Sequence, residues 1–154
     1  LIEIEKKCGV KIFISTINGK KQPCIYKTKD LLSFLGWYIA EGCSNIPKDK
    51  EGYKTHYSLG LSQFPTSRYY KALKNLFDRM NFDYKYVEGM KVFSISGKPF
   101  WILFKKVWKI GKSRNKFIPD EIFHNCNNKQ LKNIFDSMWM GDGSFFNKGK
   151  NSCL

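Results

Sequence analysis

Phe34-Leu35-Gly36-Trp37-Tyr38-Ile39-Ala40-Glu41-Gly42 returns in altered form as Phe135-Asp136-Ser137-Met138-Trp139-Met140-Gly141-Asp142-Gly143. Each copy reads as an apolar helix with two small residues four apart, Gly36 and Ala40 in the first and Ser137 and Gly141 in the second, closed by an acid and then a glycine. Small residues at that spacing lie on one helix face and let two backbones approach closely. The repetition therefore predicts two helices packed side by side, with Glu41 and Asp142 at their ends.

Those acids stand where acids are unfavourable. Each would fall in the last turn of a helix ended by a glycine cap, where the macrodipole is negative and a like charge costs about 0.3–1 kcal/mol. Packed helices would add mutual repulsion, so the pair asks for a cation. Carboxylate oxygens suit hard divalent ions such as Mg2+ or Mn2+, and magnesium is commonly held by only one or two protein carboxylates together with water and substrate phosphate. Phosphodiester cleavage is chemistry of that kind.

The remainder of the composition points the same way. The 154 residues carry 27 basic against 13 acidic side chains, a net charge of +14, so polyanions are the natural partners. No apolar run has the length of a membrane span, and the N-terminal Leu1-Ile2-Glu3-Ile4-Glu5 lacks a signal-peptide layout, which makes the cytoplasm the default location. Cys8, Cys24, Cys43, Cys126 and Cys153 are scattered, with no C-x-x-C pair and only His56 and His124 beside them; they read as reduced thiols used as small apolar residues, not as a zinc site.

Residues 1–29 alternate and read as short strands around an Asn18-Gly19 turn, either an arm that meets a nucleic acid or the tail of an upstream domain. Asp30 is expected to cap the first motif helix, whose buried stripe is Leu32, Leu35, Gly36 and Ile39. Strands follow at about 43–46 and 53–63, joined by a polar loop; in the second, Tyr57, Leu59 and Leu61 alternate with Lys54, His56, Ser58 and Ser62. A helix from Thr66 or Ser67 to Met80 buries Tyr70, Leu73, Leu76, Phe77 and Met80. Strands at 84–87 and 91–96 meet at a turn where Gly89 is expected to supply a positive φ, and a helix from Pro99 to Ile110 is expected to bury Phe100, Leu103, Phe104 and Val107 with Lys105, Lys106 and Lys109 outside. A basic stretch without period, 111–119, precedes the second motif helix. Asn127 and Gln130 form a capping pair for that helix, and Leu131, Ile134, Phe135 and Met138 form its stripe.

These motifs resemble the LAGLIDADG, or DOD-type, homing endonucleases in their two-motif form, found in inteins and in intron-encoded enzymes. The likeness runs from about Asp30 to the end of the chain. It implies an α+β fold: one αββαββα repeat over 30–126 with a four-stranded antiparallel DNA-binding sheet, then the motif helix of a second repeat over 127–154, cut short so that the chain is a fragment or a decayed copy and the pseudo-dimer of the full-length chain is incomplete. It further implies hydrolysis of double-stranded DNA at a long recognition site, with Glu41 and Asp142 holding Mg2+ or Mn2+. Lys116, separated by one residue from Ile118-Pro119, matches a lysine that reaches the family's cleavage centre. Lys54, His56, Ser58, Ser62, Lys85, Ser94 and Ser96 would face DNA from the sheet, joined by Lys112 and Arg114 of the basic stretch, while Gly36, Ala40, Ser137 and Gly141 would form the helix interface. Glu41 stands where aspartate is commoner, and Ser137, where glycine is usual, is expected to widen the helix contact slightly. The alternatives on the same scaffold are a non-cutting DNA-binding regulator and an RNA-binding intron maturase.

Overall fold

A computed structural model of the chain describes residues 2–5, 9–12, 24–45, 57–112 and 115–142. Three short strands, β1 (Ile2–Glu5), β2 (Gly9–Ile12) and β3 (Cys24–Tyr26), form an antiparallel sheet in that order. The Asn18-Gly19 turn lies outside the described residues.

From Thr28 onward the elements run helix, two strands, helix, two strands, helix: α1 (Thr28–Glu41), β4 (Gly42–Asn45), β5 (Ser58–Ser62), α2 (Tyr70–Arg79), β6 (Tyr84–Val87), β7 (Val92–Ser96) and α3 (Lys98–Ile102). The strands make a four-stranded antiparallel sheet in the order β4-β5-β7-β6, so the fold is α+β. Two more helices follow, α4 (Asp120–Asn125) and α5 (Asn128–Asp142). Alternation builds the core: Leu59 pairs with Ile95 and Leu61 with Phe93, and all four are buried on the face that meets the helices. Rings fill the space between the layers, with Phe77 5.2 Å from Phe93 and Phe34 5.5 Å from Phe104 between centroids.

Several expectations need correction. Asp30 does not cap α1, which starts two residues earlier at Thr28 after Lys27. Its carboxylate is buried and accepts from Nε and Nη2 of Arg79 at 3.0 and 2.9 Å, so it ties the end of α2 to the start of α1. The β6–β7 turn is a 3-10 turn over Glu88–Met90, and the residue with positive φ is Lys91, at 54°, not Gly89. The third helix is α-helical only to Ile102, where it passes into a π turn over Leu103–Val107 marked by Trp108 N–H donating to Leu103 O at 2.8 Å. A π turn holds one extra residue and shifts every later side chain round the axis. Val107 is accordingly 54% exposed, and Trp108 takes the buried place. The same turn draws Lys105 partly inward, although Lys106 and Lys109 are exposed as expected.

The stripe of α5 is also rotated. Ile134 and Ser137 are its buried residues, whereas Phe135 is 50% and Trp139 55% exposed. The backbone approach to α1 described below fixes this phase: the line Ile134, Ser137, Gly141 faces α1, and the bulky neighbours turn aside. The reciprocal cap is as expected, with Asn127 N–H donating to Gln130 Oε1 and Gln130 N–H to Asn127 Oδ1, both at 2.9 Å. The helix α4, with Asp120 and Glu121 in its first turn and Ile122 buried, has no counterpart in the elements expected from sequence.

Candidate active site at the paired helix ends

The site starts from the small residues. A Cβ on Gly36 would overlap the carbonyl oxygen of Ile134 and stand 2.8 Å from Cβ of Ser137, and one on Gly141 would stand 2.5 Å from Cβ of Ala40. The α1 and α5 backbones thus touch along Gly36, Ala40, Ser137 and Gly141. Ser137 is only 1% exposed, and the missing side chain of Gly36 leaves room for its Cβ. Gly42 has its own reason to be glycine. Its backbone is extended, with φ −73° and ψ 145°, in place of the left-handed cap common at helix ends, and its N–H donates to Tyr38 O. A Cβ there would strike the Tyr38 carbonyl and ring, so close approach, not φ, excludes a side chain.

This contact delivers Glu41 and Asp142 to one place. Glu41 is half-buried, and its carboxyl is held above its ordinary range by burial first and by the charge of Asp142 second, with Lys116 opposing both. Lys116 comes from the stretch after Gly111. Its Nζ donates to Ala40 O at 3.3 Å, one of the last-turn carbonyls of α1 that have no partner within the helix. It also lies 5.8 Å from the centre of the Tyr38 ring. Burial lowers the Lys116 pKa, while Asp142, Glu41 and Cys43 pull it upward. Glu41, Asp142 and Lys116, distant in sequence, therefore act on one another electrostatically.

The chain matches no family model and no curated protein.

Among the described residues no group of three or more His, Cys, Asp or Glu side chains gathers where a metal ion could sit. What the helix ends offer is two carboxylates that repel each other, beside an ammonium and open to solvent at Asp142. Such an oxygen donor set fits a hard divalent ion whose remaining ligands are water and a phosphate.

The other residues singled out from sequence divide into three groups. Ser62, Lys85, Ser94 and Ser96 share the sheet face turned away from the helices: Ser94 pairs with Lys85 and with Gly60, Ser96 with Ser58, and Ser62 with Val92. Ser58 lies on that face but is only 8% exposed, flanked by β4 on one side and β7 on the other, which corrects its reading as a direct contact. Lys112 is exposed on the loop that leads to Lys116. Lys54, His56 and Arg114 lie outside the described residues. Sequence reading missed Cys43, which lies near Lys116 on the first strand after the motif, and Lys105, considered below. No motif marks either one; only the geometry of β4 and of the π turn brings them near.

Proposed function

We propose that the chain is a metal-dependent DNA endonuclease of the LAGLIDADG kind, with α1 and α5 as its two motif helices and β4-β5-β7-β6 as its DNA-binding sheet. One observation carries the reading. Among the described residues, the only two helices that touch backbone to backbone through small residues each end in an acid, and a lysine from a distant loop binds the end of the first helix, close enough to both acids to feel their charge.

In this reading Glu41 and Asp142 are the residues that would hold Mg2+ or Mn2+. When bound, the ion supplies Lewis-acid activation of the scissile phosphate and of the attacking water. The chain's own residues do the rest. Lys116, held by Ala40 O and the Tyr38 ring, stands ready to balance charge that develops on the phosphate oxygens. Withdrawal of Glu41 from water strengthens its attraction for a cation relative to a solvated carboxylate. Ser62, Lys85, Ser94 and Ser96 face the groove, where hydroxyls can meet base edges, and the excess of basic side chains binds phosphates on both sides.

The test is cutting of a randomised duplex library by the purified chain in Mg2+, with sequencing of the new ends. Cleavage at a defined sequence that disappears in EDTA and in both E41Q and D142N supports the assignment. Cleavage that survives both substitutions overturns it.

A further inference from the structure

Lys105 lies in the π turn Leu103–Val107, where an outward-pointing lysine is expected, yet its Nζ folds back onto the carbonyl oxygens of Ile110 and Gly111, the second at 3.2 Å. The contacts continue from there. Gly111 N–H donates to Asn115 O at 3.1 Å, and Asn115 N–H donates to Lys112 O at 3.0 Å, closing the loop. The next residue is Lys116, whose Nζ reaches Ala40 O at the end of α1. Ile110 N–H, bound to Phe104 O at 2.9 Å, anchors the near side of the same loop to the π turn. An almost continuous polar chain thus runs from the third helix to the motif helix, and Lys105 is its first link.

The placement is costly for an ammonium. Burial first, then the like charges of Lys112 and Lys116, disfavour its charged form. Two of the three ammonium donors are directed at loop carbonyls.

We propose that Lys105 is a positioning residue that clamps Ile110 and Gly111 and, through the Gly111–Asn115 contact, sets Lys116 against the end of α1. Its consequence for cleavage rests on the endonuclease reading; the clamp itself does not. A π turn supplies the reach, because its extra residue turns position 105 toward the loop while Val107 swings outward.

The experiment measures two things on the full chain. The first is the rate at which each lysine is acetylated by a water-soluble N-hydroxysuccinimide ester, read by mass spectrometry. Lys116 should label slowly in the wild type and several-fold faster in K105M, with exposed Lys106 and Lys109 unchanged. The second is cleavage of a duplex selected from a randomised library by the wild-type chain. K105M should lower kcat about 10- to 100-fold, the scale expected of a small misplacement, with KM unchanged, and K105R should recover most of the loss. If K105M does not fold, G111A breaks the same loop at another link, since a Cβ there would overlap Asn115 O, and it should give the same labelling signature. Unchanged labelling of Lys116 in the folded variant overturns the clamp. Faster labelling in a chain that never cuts DNA keeps the clamp and removes the endonuclease reading.

Discussion

Gly141 of α5 rests directly on Ala40 of α1, so closely that a Cβ on the glycine would stand 2.5 Å from that of the alanine. The residues that follow each of them, Asp142 and Glu41, inherit that proximity. G141A should therefore push the helix ends apart and destabilise the chain by about 1–3 kcal/mol, the usual cost of overpacking. G36A should cost a similar amount, because its Cβ meets the fixed backbone of Ile134 and not a side chain able to move. Urea midpoints of the two variants against the wild type measure this.

Glu41 illustrates a stability cost accepted at a site. Burial and Asp142 raise its pKa, so the folded chain holds the proton more tightly than the unfolded chain; the stability this proton confers is full below the ordinary carboxylate range and is lost as pH rises through the raised folded-state pKa. In EDTA at pH 7, E41Q should be more stable than the wild type by about 0.3–1 kcal/mol, the worth of a negative charge removed from a negative helix end. The gain should vanish below about pH 4, where Glu41 is protonated in both states. A gain that persists at pH 3, or a loss at pH 7, contradicts the electrostatic description.

The Asp30–Arg79 pair is the strongest ionic tie between helices among the described residues. The Asp30 side chain is 8% exposed, and removing its partner leaves a buried acceptor unsatisfied. R79M should cost about 1–3 kcal/mol by thermal or urea unfolding. The exposed Lys132–Asp136 pair, in contrast, should contribute about 0.3–0.5 kcal/mol.

Much of this was legible in the sequence, for identifiable reasons. The four strands and the helices α1, α2 and α5 rest on strong periodicity, and Asn127 with Gln130 is a local capping signal that needs no tertiary context. What escaped prediction depends on contacts between distant segments. The phase of α5 is set by the glycine of α1, which turned Phe135 out; the π turn displaced Val107 in favour of Trp108; Asp30 was claimed by Arg79 49 positions away. At the site, the acids were visible as a repeat, whereas Lys105 carries no motif and is found only by following hydrogen bonds.

The sheet face and the +14 charge make a quantitative claim about binding. If the chain neutralises about 6–10 phosphates, raising salt from about 50 to 200 mM should weaken DNA binding about 10³- to 10⁵-fold. K85E and S94E, placed on the outer face, should reduce affinity without altering the fold, as read by fluorescence anisotropy and circular dichroism. Affinity independent of salt would remove the sheet from the account.

The central claim is that Glu41, Asp142 and Lys116 form one centre. The most direct test is metal-dependent cleavage of the selected duplex by E41Q, D142N and K116M beside the wild type, with binding measured on the same duplex in Ca2+. Each acid variant should bind yet fail to cut, and K116M should cut about 10²- to 10³-fold more slowly, the scale of losing one preorganised charge-stabilising contact. Variants that cut at the wild-type rate would contradict it.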